Sequence, residues 1–307
     1  MREAVFTQSL TKQYSTTLAV DNVNLKVPIG CSCGFLGKNG AGKTTTIKML
    51  VGLLAPTGGE ISIMGEERVF GKPGTPNFGY LPDVPNFYGY MTGAEFLHLA
   101  GKLCGISEPE RGKRVKELLS QVGLEKIRTR ISGYSRGMKQ RLGIAQALIN
   151  NPPVIFMDEP ISALDPIGRR DVAQIIRSLK DTTVILSTHI LADVEDICDY
   201  VLIIDNGRIL AQDYLQSLKE RRMSGVVSLR FYNNEDANSF RGFAANAGLT
   251  IEELAGNPLE MKARHGSGDT KELSHVLTGI AYTNNIPLES LGAYAPTIED
   301  IFYEVIG

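Results

Sequence analysis

The chain has 307 residues, of which 43% are hydrophobic, and its 32 lysines and arginines nearly balance its 34 aspartates and glutamates, for a formal net charge of -2. This near-balance argues against the basic surface with which proteins bind nucleic acids, so we expect no nucleic-acid partner. The apolar runs are far shorter than the roughly 20 residues that cross a bilayer, and the N-terminal sequence lacks the pattern of a secretory signal. We therefore expect a cytoplasmic protein of one or two domains.

Short apolar, strand-like runs alternate with helical periods in the first third of the chain. The run SCGFL precedes a helix predicted over residues 43–51, and the runs EISIM and FGYLP follow. This alternation is typical of an α/β core with a largely parallel sheet. The next stretch has mostly helical periodicity, with a capping box predicted at Ser107 and Glu110. We therefore predict a helical subdomain inserted at about residues 92–150.

The α/β pattern resumes with the runs VIFMD, TVILS and YVLII. Asn206-Gly207, between two strand-like runs, is a strong signal for a tight hairpin. After a linker near Met223, strand-like runs and two helical segments alternate in the order βαββαβ, which predicts a small domain of the α+β class. We therefore predict two domains, residues 1–222 and residues 223–307.

The run GKNGAGKT, residues 37–44, matches the pattern G-x-x-x-x-G-K-[ST] between a predicted strand and a predicted helix. Gly40 and Gly42 let the backbone curl into a nest of N–H donors around a phosphate, and the helix N terminus adds a favourable dipole. Lys43 would reach the β- and γ-phosphates, and the Thr44 hydroxyl is placed for Mg²⁺. An ordinary glycine-rich turn is the alternative, but the flanking strand and helix favour a nucleotide site.

Two carboxylates end the apolar run VIFMDEP. Asp158 at the strand end suits the shell of a Mg²⁺ ion, and Glu159 is placed to orient or deprotonate an attacking water. A solvated acidic pair is the alternative, which the nearby phosphate loop disfavours. The run TVILS leads to His189, which would face the same crevice and donate to a γ-phosphate if its strand neighbours that of Asp158. A histidine exposed at the surface is the alternative there.

The helix predicted to begin at Ser135 has three basic residues in its first two turns, namely Arg136, Lys139 and Arg141. Positive charge at a helix N terminus opposes the helix macrodipole unless an anion lies there. The pattern therefore predicts an anion near the start of this helix.

Five motifs, GKNGAGKT, YSRGM, VIFMDEP, SALD and the histidine of STHI, occur together in this order. Over residues 1 to about 220 the chain resembles the ATP-binding cassette (ABC) transporter ATPases, in which these motifs have the same order and approximate spacing. The resemblance implies a P-loop NTPase core, ATP and Mg²⁺ as ligands, and ATP hydrolysis. The YSRGM segment is the most specific motif, because simple P-loop kinases and GTPases have no role for it.

The resemblance also assigns roles to single residues. Tyr14 would stack on the adenine, although a tyrosine at a strand edge is the alternative. Asp158 would be the carboxylate associated with Mg²⁺, Glu159 the catalytic base, and His189 the switch histidine. The nucleotide-binding loop would consist of Gly37, Asn39, Gly40, Ala41, Gly42, the catalytic Lys43, Thr44 and Thr45.

The head-to-tail dimer of this family would place Ser135 and Gly137 of one subunit against the γ-phosphate bound by the other, with Asp165 at the dimer contact. Asp83 lies where the family usually has glutamine. Its shorter carboxylate is expected to contact Mg²⁺ through water, and its reach to the nucleophile is the open question. Arg136 replaces a glycine that many members have in the YSRGM segment.

The segment YSRGMKQR and the closing helix TIEDIF resemble the ATPases of ABC-2-type exporters of drugs, antibiotics or sodium. We therefore expect a homodimer or a paired cassette bound to a separate permease at the inner face of the cell membrane. The expected docking surface is residues 83–97, because Phe87, Tyr88, Tyr90 and Met91 have the composition of an interface core. Packing of these side chains inside the helical subdomain is the alternative.

Three other functions are weighed against the exporter. An importer ATPase with a regulatory tail domain would also explain the C-terminal domain. A soluble ABC ATPase acting on ribosomes or DNA is disfavoured by the single cassette and the lack of a basic excess. A degenerate cassette that binds ATP and only regulates is supported by Asp83 alone. The C-terminal domain offers no catalytic constellation, and its His265 is expected to be solvated.

Overall fold

The computed structural model of the chain describes residues 3–71, 77–223, 225–254, 257–264 and 269–307, so His265 lies outside the described residues. The chain divides into two compact units, residues 1–215 with 302–307, and residues 216–301. Met223, near the predicted linker, is the last residue of a helix, Leu215–Met223.

The described strands of the first unit form two sheets. The strands are β1 (Glu3–Tyr14), β2 (Thr17–Val23), β3 (Lys26–Pro28), β4 (Ser32–Leu36), β5 (Gly58–Ile63), β6 (Glu66–Glu67), β7 (Gly79–Leu81), β8 (Val154–Asp158), β9 (Thr183–Thr188), β10 (Tyr200–Asp205) and β11 (Arg208–Tyr214). An antiparallel sheet has the order β2-β1-β5-β6, with β3 paired to β1, and a second sheet has the order β11-β10-β4-β9-β8-β7.

The second sheet places the predicted site. Every residue of β8 and β9 is buried, as expected for strands covered on both faces. The strands β10, β4, β9, β8 and β7 are parallel, so the carboxyl ends of β4, β8 and β9 meet at one edge. In such sheets ligands bind beyond the carboxyl ends of the strands. The predicted α/β core is confirmed.

The helices of the first unit include the predicted insert between β7 and β8. They are α1 (Lys43–Leu50), α2 (Gly93–Leu103), α3 (Glu108–Gln121), α4 (Arg136–Ala147), α5 (Pro166–Arg177) and α6 (Leu191–Ile197), and α7 (Leu215–Met223) follows. The expected start of α4 is confirmed, because Ser135 is its N-cap residue.

The capping box predicted at Ser107 and Glu110 is wrong. Ser107 is the N-cap residue of α3, but its hydroxyl lies 3.4 Å from the Glu110 carboxylate and caps no backbone N–H. A complete capping box forms one helix earlier, where Thr92 and Glu95 accept each other's backbone N–H at the start of α2.

The second unit has the predicted βαββαβ order. Its elements are β12 (Val226–Phe231), α8 (Asn234–Asn246), β13 (Thr250–Leu254), β14 (Asn257–Arg264), α9 (Thr270–Thr283) and β15 (Leu288–Ala293), and α10 (Ile298–Ile306) follows. The sheet order is β13-β14-β12-β15, and all pairs are antiparallel. The two helices cover one face of the sheet, where Phe231 and Phe240 pack with their ring centroids 5.2 Å apart.

Among all the residues described, there is no helix with the length and apolarity needed to traverse a lipid bilayer.

Candidate functional site

The phosphate loop connects β4 to α1 with two glycines in the left-handed region. Gly40 has φ +84° and Gly42 has φ +107°, backbone conformations that residues other than glycine rarely adopt. Lys43 is buried, and its Nζ donates to the carbonyls of Gly37 at 2.7 Å and Lys38 at 3.2 Å. The lysine ammonium is therefore held inside the curl of the loop, where a phosphate would compete for it.

The hairpin between β10 and β11 is hydrogen-bonded to the phosphate loop. Asn206 and Gly207 both have positive φ, 46° and 76°, as the predicted tight turn requires. The Gly207 N–H donates to the Ala41 carbonyl at 3.0 Å, and the Asp21 N–H donates to the Gly207 carbonyl at 2.9 Å. The turn thus connects the phosphate loop to β2, a contact that the sequence motifs did not predict.

Asp158 is the acceptor at the centre of the site. Its Oδ1 accepts from the Thr44 hydroxyl at 3.0 Å and from the Ser187 hydroxyl at 2.7 Å. Asp158 is 2% exposed, so these bonds offset the cost of burying its charge. The end of β8 therefore lies against the start of α1.

Glu159 lies one residue beyond β8 in a positive-φ conformation, at 48°. Its N–H donates to the Ser187 hydroxyl at 2.9 Å, and His189 Nδ1 lies 3.0 Å from one of its carboxylate oxygens and 3.1 Å from the other. Glu159 Oε1 is also 3.9 Å from Lys43 Nζ. Residues that are far apart in the sequence thus surround one carboxylate.

The charges in this crevice shift the protonation of nearby groups. Burial lowers the pKa of Lys43, and the carboxylates of Glu159 and Asp158 oppose that shift. Burial, together with the nearby negative charges of Asp158 and Asp83, raises the pKa of Tyr80 to about 12. The carboxylates of Asp158 and Glu159 thus favour the charged form of the buried Lys43 ammonium.

Asp83 follows β7 at the same sheet edge, because Leu81 pairs with Met157, next to Asp158. Its side chain is exposed and, within the described residues, forms no hydrogen bond or ion pair. Its charge nonetheless acts at Tyr80, as does that of Asp158. The structure therefore places Asp83 at the edge of the crevice, without a direct contact to Thr44 or Glu159.

Tyr14 lies at the end of β1, with 45% of its surface exposed. Lys12 Nζ lies 5.1 Å from the centre of its ring. An exposed ring face is open to stacking, which is the property that adenine binding needs.

Ser135, Gly137 and Asp165 form a separate group. Ser135 and Asp165 each cap a helix, accepting from the N–H groups of Met138 at 3.2 Å and Gly168 at 3.1 Å. Across residues 3–71 and 77–223, no hydrogen bond joins these three residues to the phosphate loop of the same chain.

The basic start of α4 offers less charge to an anion than the sequence suggested. Arg141 Nη1 donates to the Val122 carbonyl at 3.0 Å and lies 3.8 Å from Asp171, so this arginine connects helices. Arg136 is exposed and Lys139 partly so. Of the three basic residues, Arg136 and Lys139 therefore remain available to contact an anion.

The residues at the site suit Mg²⁺ rather than a cation bound by protein alone. The Thr44 hydroxyl and the Asp158 carboxylate offer two oxygen ligands for a metal ion, and these oxygens lie 3.0 Å apart. Among the described residues, no three His, Cys, Asp or Glu side chains cluster around a cation position. Mg²⁺ typically takes one or two protein ligands and completes its shell with phosphate and water, so these two residues fit it.

Ser187 is the functional residue that sequence reasoning missed. It is fully buried on β9, and the strand register pairs it with Asp158. Its position two residues before His189, at the end of a buried strand, was the available signal, because a polar residue there needs a partner.

The predicted docking segment contains both buried and exposed aromatics. Phe87 packs edge-on against Phe96 of α2, with ring centroids 5.0 Å apart. Tyr88 and Tyr90 are 53% and 66% exposed. Phe87 is therefore partly packed inside the helical insert, whereas the rings of both tyrosines are exposed, as is Val84 in the same segment.

Known proteins similar to the chain share this architecture. Residues 20–162 match the family described as ABC transporter. A solved ATP-binding subunit of an ABC transporter is 34% identical, with a TM-score of 0.64, over 71% of this chain and 93% of that one. A dimeric ATP-binding cassette in a post-hydrolysis state, bound to ADP and Pi, is 26% identical, with a TM-score of 0.62, over 69% of this chain and 98% of that one.

Two relatives are similar along almost the whole chain. The bacitracin transport ATP-binding protein BcrA of Bacillus licheniformis is 41% identical over 100% of this chain and 98% of its own length. The daunorubicin/doxorubicin resistance ATP-binding protein DrrA of Streptomyces peucetius is 34% identical over 99% of this chain and 92% of its own. The chain belongs to the ABC transporter family, as one of its ATP-hydrolysing, ATP-binding subunits.

Proposed function

We propose that this chain is the ATPase of an exporter, in which ATP binding closes a head-to-tail pair of chains and hydrolysis reopens it. The observation that carries the proposal is the single crevice in which Lys43, Asp158, Glu159 and His189 meet. Similarity to BcrA and DrrA extends through the C-terminal unit, and their names refer to bacitracin transport and to resistance to daunorubicin and doxorubicin. The resistance named for DrrA supports export as the direction of transport.

Each side chain of the crevice has a task in hydrolysis. Lys43 would exchange the Gly37 carbonyl for the β- and γ-phosphates, and the loop N–H groups would hold the β-phosphate. Thr44 and Asp158 would hold Mg²⁺, which neutralises charge on the phosphates. Glu159 would accept the proton of the water that attacks the γ-phosphorus, as the bond to the bridging oxygen of ADP breaks. His189 would hold Glu159 in place and contact the γ-phosphate.

The residues outside the crevice would serve the second copy. Ser135 and Gly137 would bring the N terminus of α4 to the γ-phosphate bound by the partner, with Arg136 adding positive charge. Asp165 would lie at the contact between copies. Residues 83–97 would bind a separate permease through Tyr88 and Tyr90, which would hold the chain at the inner face of the cell membrane.

The test is Glu159→Gln, with Glu125→Gln as a matched control on the helical insert. We expect wild-type chain and the control to release phosphate from ATP, and Glu159→Gln to lose about 10²–10⁴-fold in kcat, because the general base is removed. With ATP and Mg²⁺, Glu159→Gln should elute as a dimer in size-exclusion chromatography. Equal, negligible phosphate release by wild type and Glu159→Gln would refute the catalytic proposal.

A further inference from the structure

The proposed docking segment is hydrogen-bonded to the turn that precedes Ser135. The Ile131 N–H donates to the Met91 carbonyl at 2.8 Å, and the Ser132 N–H donates to the Gly89 carbonyl at 3.0 Å. Thr92 and Arg130 form an antiparallel bridge beside them. Through these hydrogen bonds, a displacement of residues 89–92 would shift the backbone that leads into α4.

Tyr134 is the side chain at the end of that turn. It immediately precedes Ser135, the N-cap residue of α4, and its N–H donates to the Ile131 carbonyl at 3.0 Å. The side chain is 6% exposed, and its hydroxyl is buried without a hydrogen-bond partner among the described residues. A buried hydroxyl without a partner carries a desolvation cost that a phenylalanine would not, so its presence here calls for a structural reason.

Gly93 lies on the other side of this hydroxyl, at the first position of α2. A Cβ at Gly93 would be 2.8 Å from the Tyr134 hydroxyl and 3.4 Å from Leu142 Cδ1. The backbone of Gly93 is helical, so alanine would be acceptable there if only the backbone mattered. The hydroxyl is what excludes a side chain at this position.

We propose that Tyr134 is a positioning residue for Ser135, through contact of its hydroxyl with Gly93 at the start of α2. This inference rests on the proposed roles of Ser135 at the nucleotide and of residues 83–97 at the permease. The Tyr134 hydroxyl and Leu142 of α4 both reach the start of α2 beside Gly93, so the buried Tyr134 side chain links the residue before Ser135 to α2. A permease bound at α2 would thereby move Ser135 relative to the nucleotide held by the partner copy.

The first test uses the steric contact itself. In Gly93→Ala, the added methyl must displace the Tyr134 hydroxyl, and we expect kcat to fall about tenfold, because small misplacements of a site are costly. The affinity of a fluorescent ATP analogue for the monomer should stay unchanged. ATP-dependent dimerisation in the Glu159→Gln background should weaken together with kcat.

A second substitution should rescue the first. Tyr134→Phe removes only the oxygen, so the double variant Gly93→Ala, Tyr134→Phe has room for the methyl and should return to within about threefold of wild-type kcat. Gly112→Ala on α3 is the matched control, because a Cβ there would have no neighbour within 4 Å. A double variant as slow as Gly93→Ala, or a Gly93→Ala protein with wild-type kcat, would overturn the proposal.

The link to the docking segment has its own readout. The chain contains no tryptophan, so Tyr88→Trp places a single tryptophan in the docking segment, whose emission can be excited selectively at wavelengths that tyrosine does not absorb. Coupling between two sites is reciprocal, so ATP-driven dimerisation in the Glu159→Gln background should shift the emission of Trp at position 88. Adding Gly93→Ala should reduce that shift, and adding Gly112→Ala should preserve it.

Different observations would contradict the proposed function and the role of Tyr134. A wild-type chain that neither hydrolyses ATP nor dimerises as Glu159→Gln contradicts the proposed function. A chain that does both, but whose Trp at position 88 does not respond to ATP, contradicts only the role of Tyr134 in coupling.

Discussion

At the scale of the residue, one hydroxyl organises the two neighbouring carboxylates of the site. Ser187 donates to the Asp158 carboxylate and accepts from the backbone N–H of Glu159, so it fixes the Asp158 carboxylate and the backbone from which the Glu159 side chain extends. Both recorded bonds to Asp158 fall on Oδ1. Buried acceptors of this kind usually act by orienting the groups that touch the ligand.

Ser187→Ala should therefore weaken catalysis without removing any group proposed to touch ATP. We expect kcat or the apparent Mg²⁺ affinity to fall about 10–100-fold, the typical effect of losing such a supporting bond. Unfolding free energy should fall by about 1–3 kcal/mol, because a buried carboxylate and an N–H lose a partner. Phosphate release titrated with Mg²⁺ measures the first effect. As a control, Ser178→Ala at the C-cap of α5, outside the site, should leave kcat and the Mg²⁺ affinity unchanged.

The charge on Lys43 predicts a pH dependence of ATP binding. ATP binding that uses this ammonium is present below its pKa and is lost as the pH rises through it, and burial lowers that pKa. Glu159→Gln removes a carboxylate 3.9 Å away that raises the pKa. The alkaline loss of ATP affinity should therefore begin at a lower pH in Glu159→Gln than in wild type. Titration with a fluorescent ATP analogue at increasing pH measures this, and a shift to higher pH would contradict the assignment.

At the scale of the element, the hairpin between β10 and β11 is part of the nucleotide site although it carries no motif residue. Its turn donates to Ala41, and a Cβ at Gly207 would lie 2.9 Å from the Ala19 carbonyl oxygen. The same carbonyl would lie 2.7 Å from a Cβ at Gly42. Two glycines from distant parts of the chain are thus packed against one peptide of β2.

Gly207→Ala should destabilise the first unit and weaken ATP binding together. The left-handed backbone alone costs an alanine about 1–2 kcal/mol, and the contact with Ala19 adds to that. Unfolding temperature and ATP-analogue affinity are the measurements. Gly30→Ala is the control, because Gly30 has a similar positive φ but an added Cβ there would have no neighbour within 4 Å. This variant should lose stability but keep the wild-type affinity for the ATP analogue.

At the scale of the whole molecule, the two units have separate cores. The first has a cluster that includes Phe35 and Phe156, and the second a cluster around Phe231 and Phe240. The proposed ATP site lies wholly within the first unit. A ligand stabilises the unit that binds it, by mass action.

Phe231→Ala should therefore separate stability from ATP binding. We expect the second unit to lose about 3–5 kcal/mol, because a fully buried ring is removed. In calorimetry, ATP should not shift the unfolding transition of the second unit. That transition should move to lower temperature in Phe231→Ala, and the affinity for ATP should match that of the wild type. Phe156→Ala, the matched change in the first core, should lower the transition that ATP raises. A loss of ATP affinity in Phe231→Ala would contradict independent cores.

The nucleotide site was largely predictable because its chemistry is local. The glycines of the phosphate loop, Lys43 and Thr44 are adjacent in the chain, and their spacing alone specifies a loop between a strand and a helix. The hairpin at Asn206-Gly207 and the start of α4 at Ser135 were predictable for the same reason, since turns and caps depend on a few neighbouring residues. The order of the motifs then indicated the family.

Tertiary structure decided which distant residues meet. Ser187 reaches Asp158 only because β8 and β9 are neighbours in that register, and strand order cannot be read from the strands themselves. The failed capping box at Ser107 and the contact of Tyr134 with Gly93 have the same origin, because both depend on where side chains point after packing. The sequence by itself thus determined the kind of site, through local backbone and charge, and the packing of strands and helices determined which side chains position it.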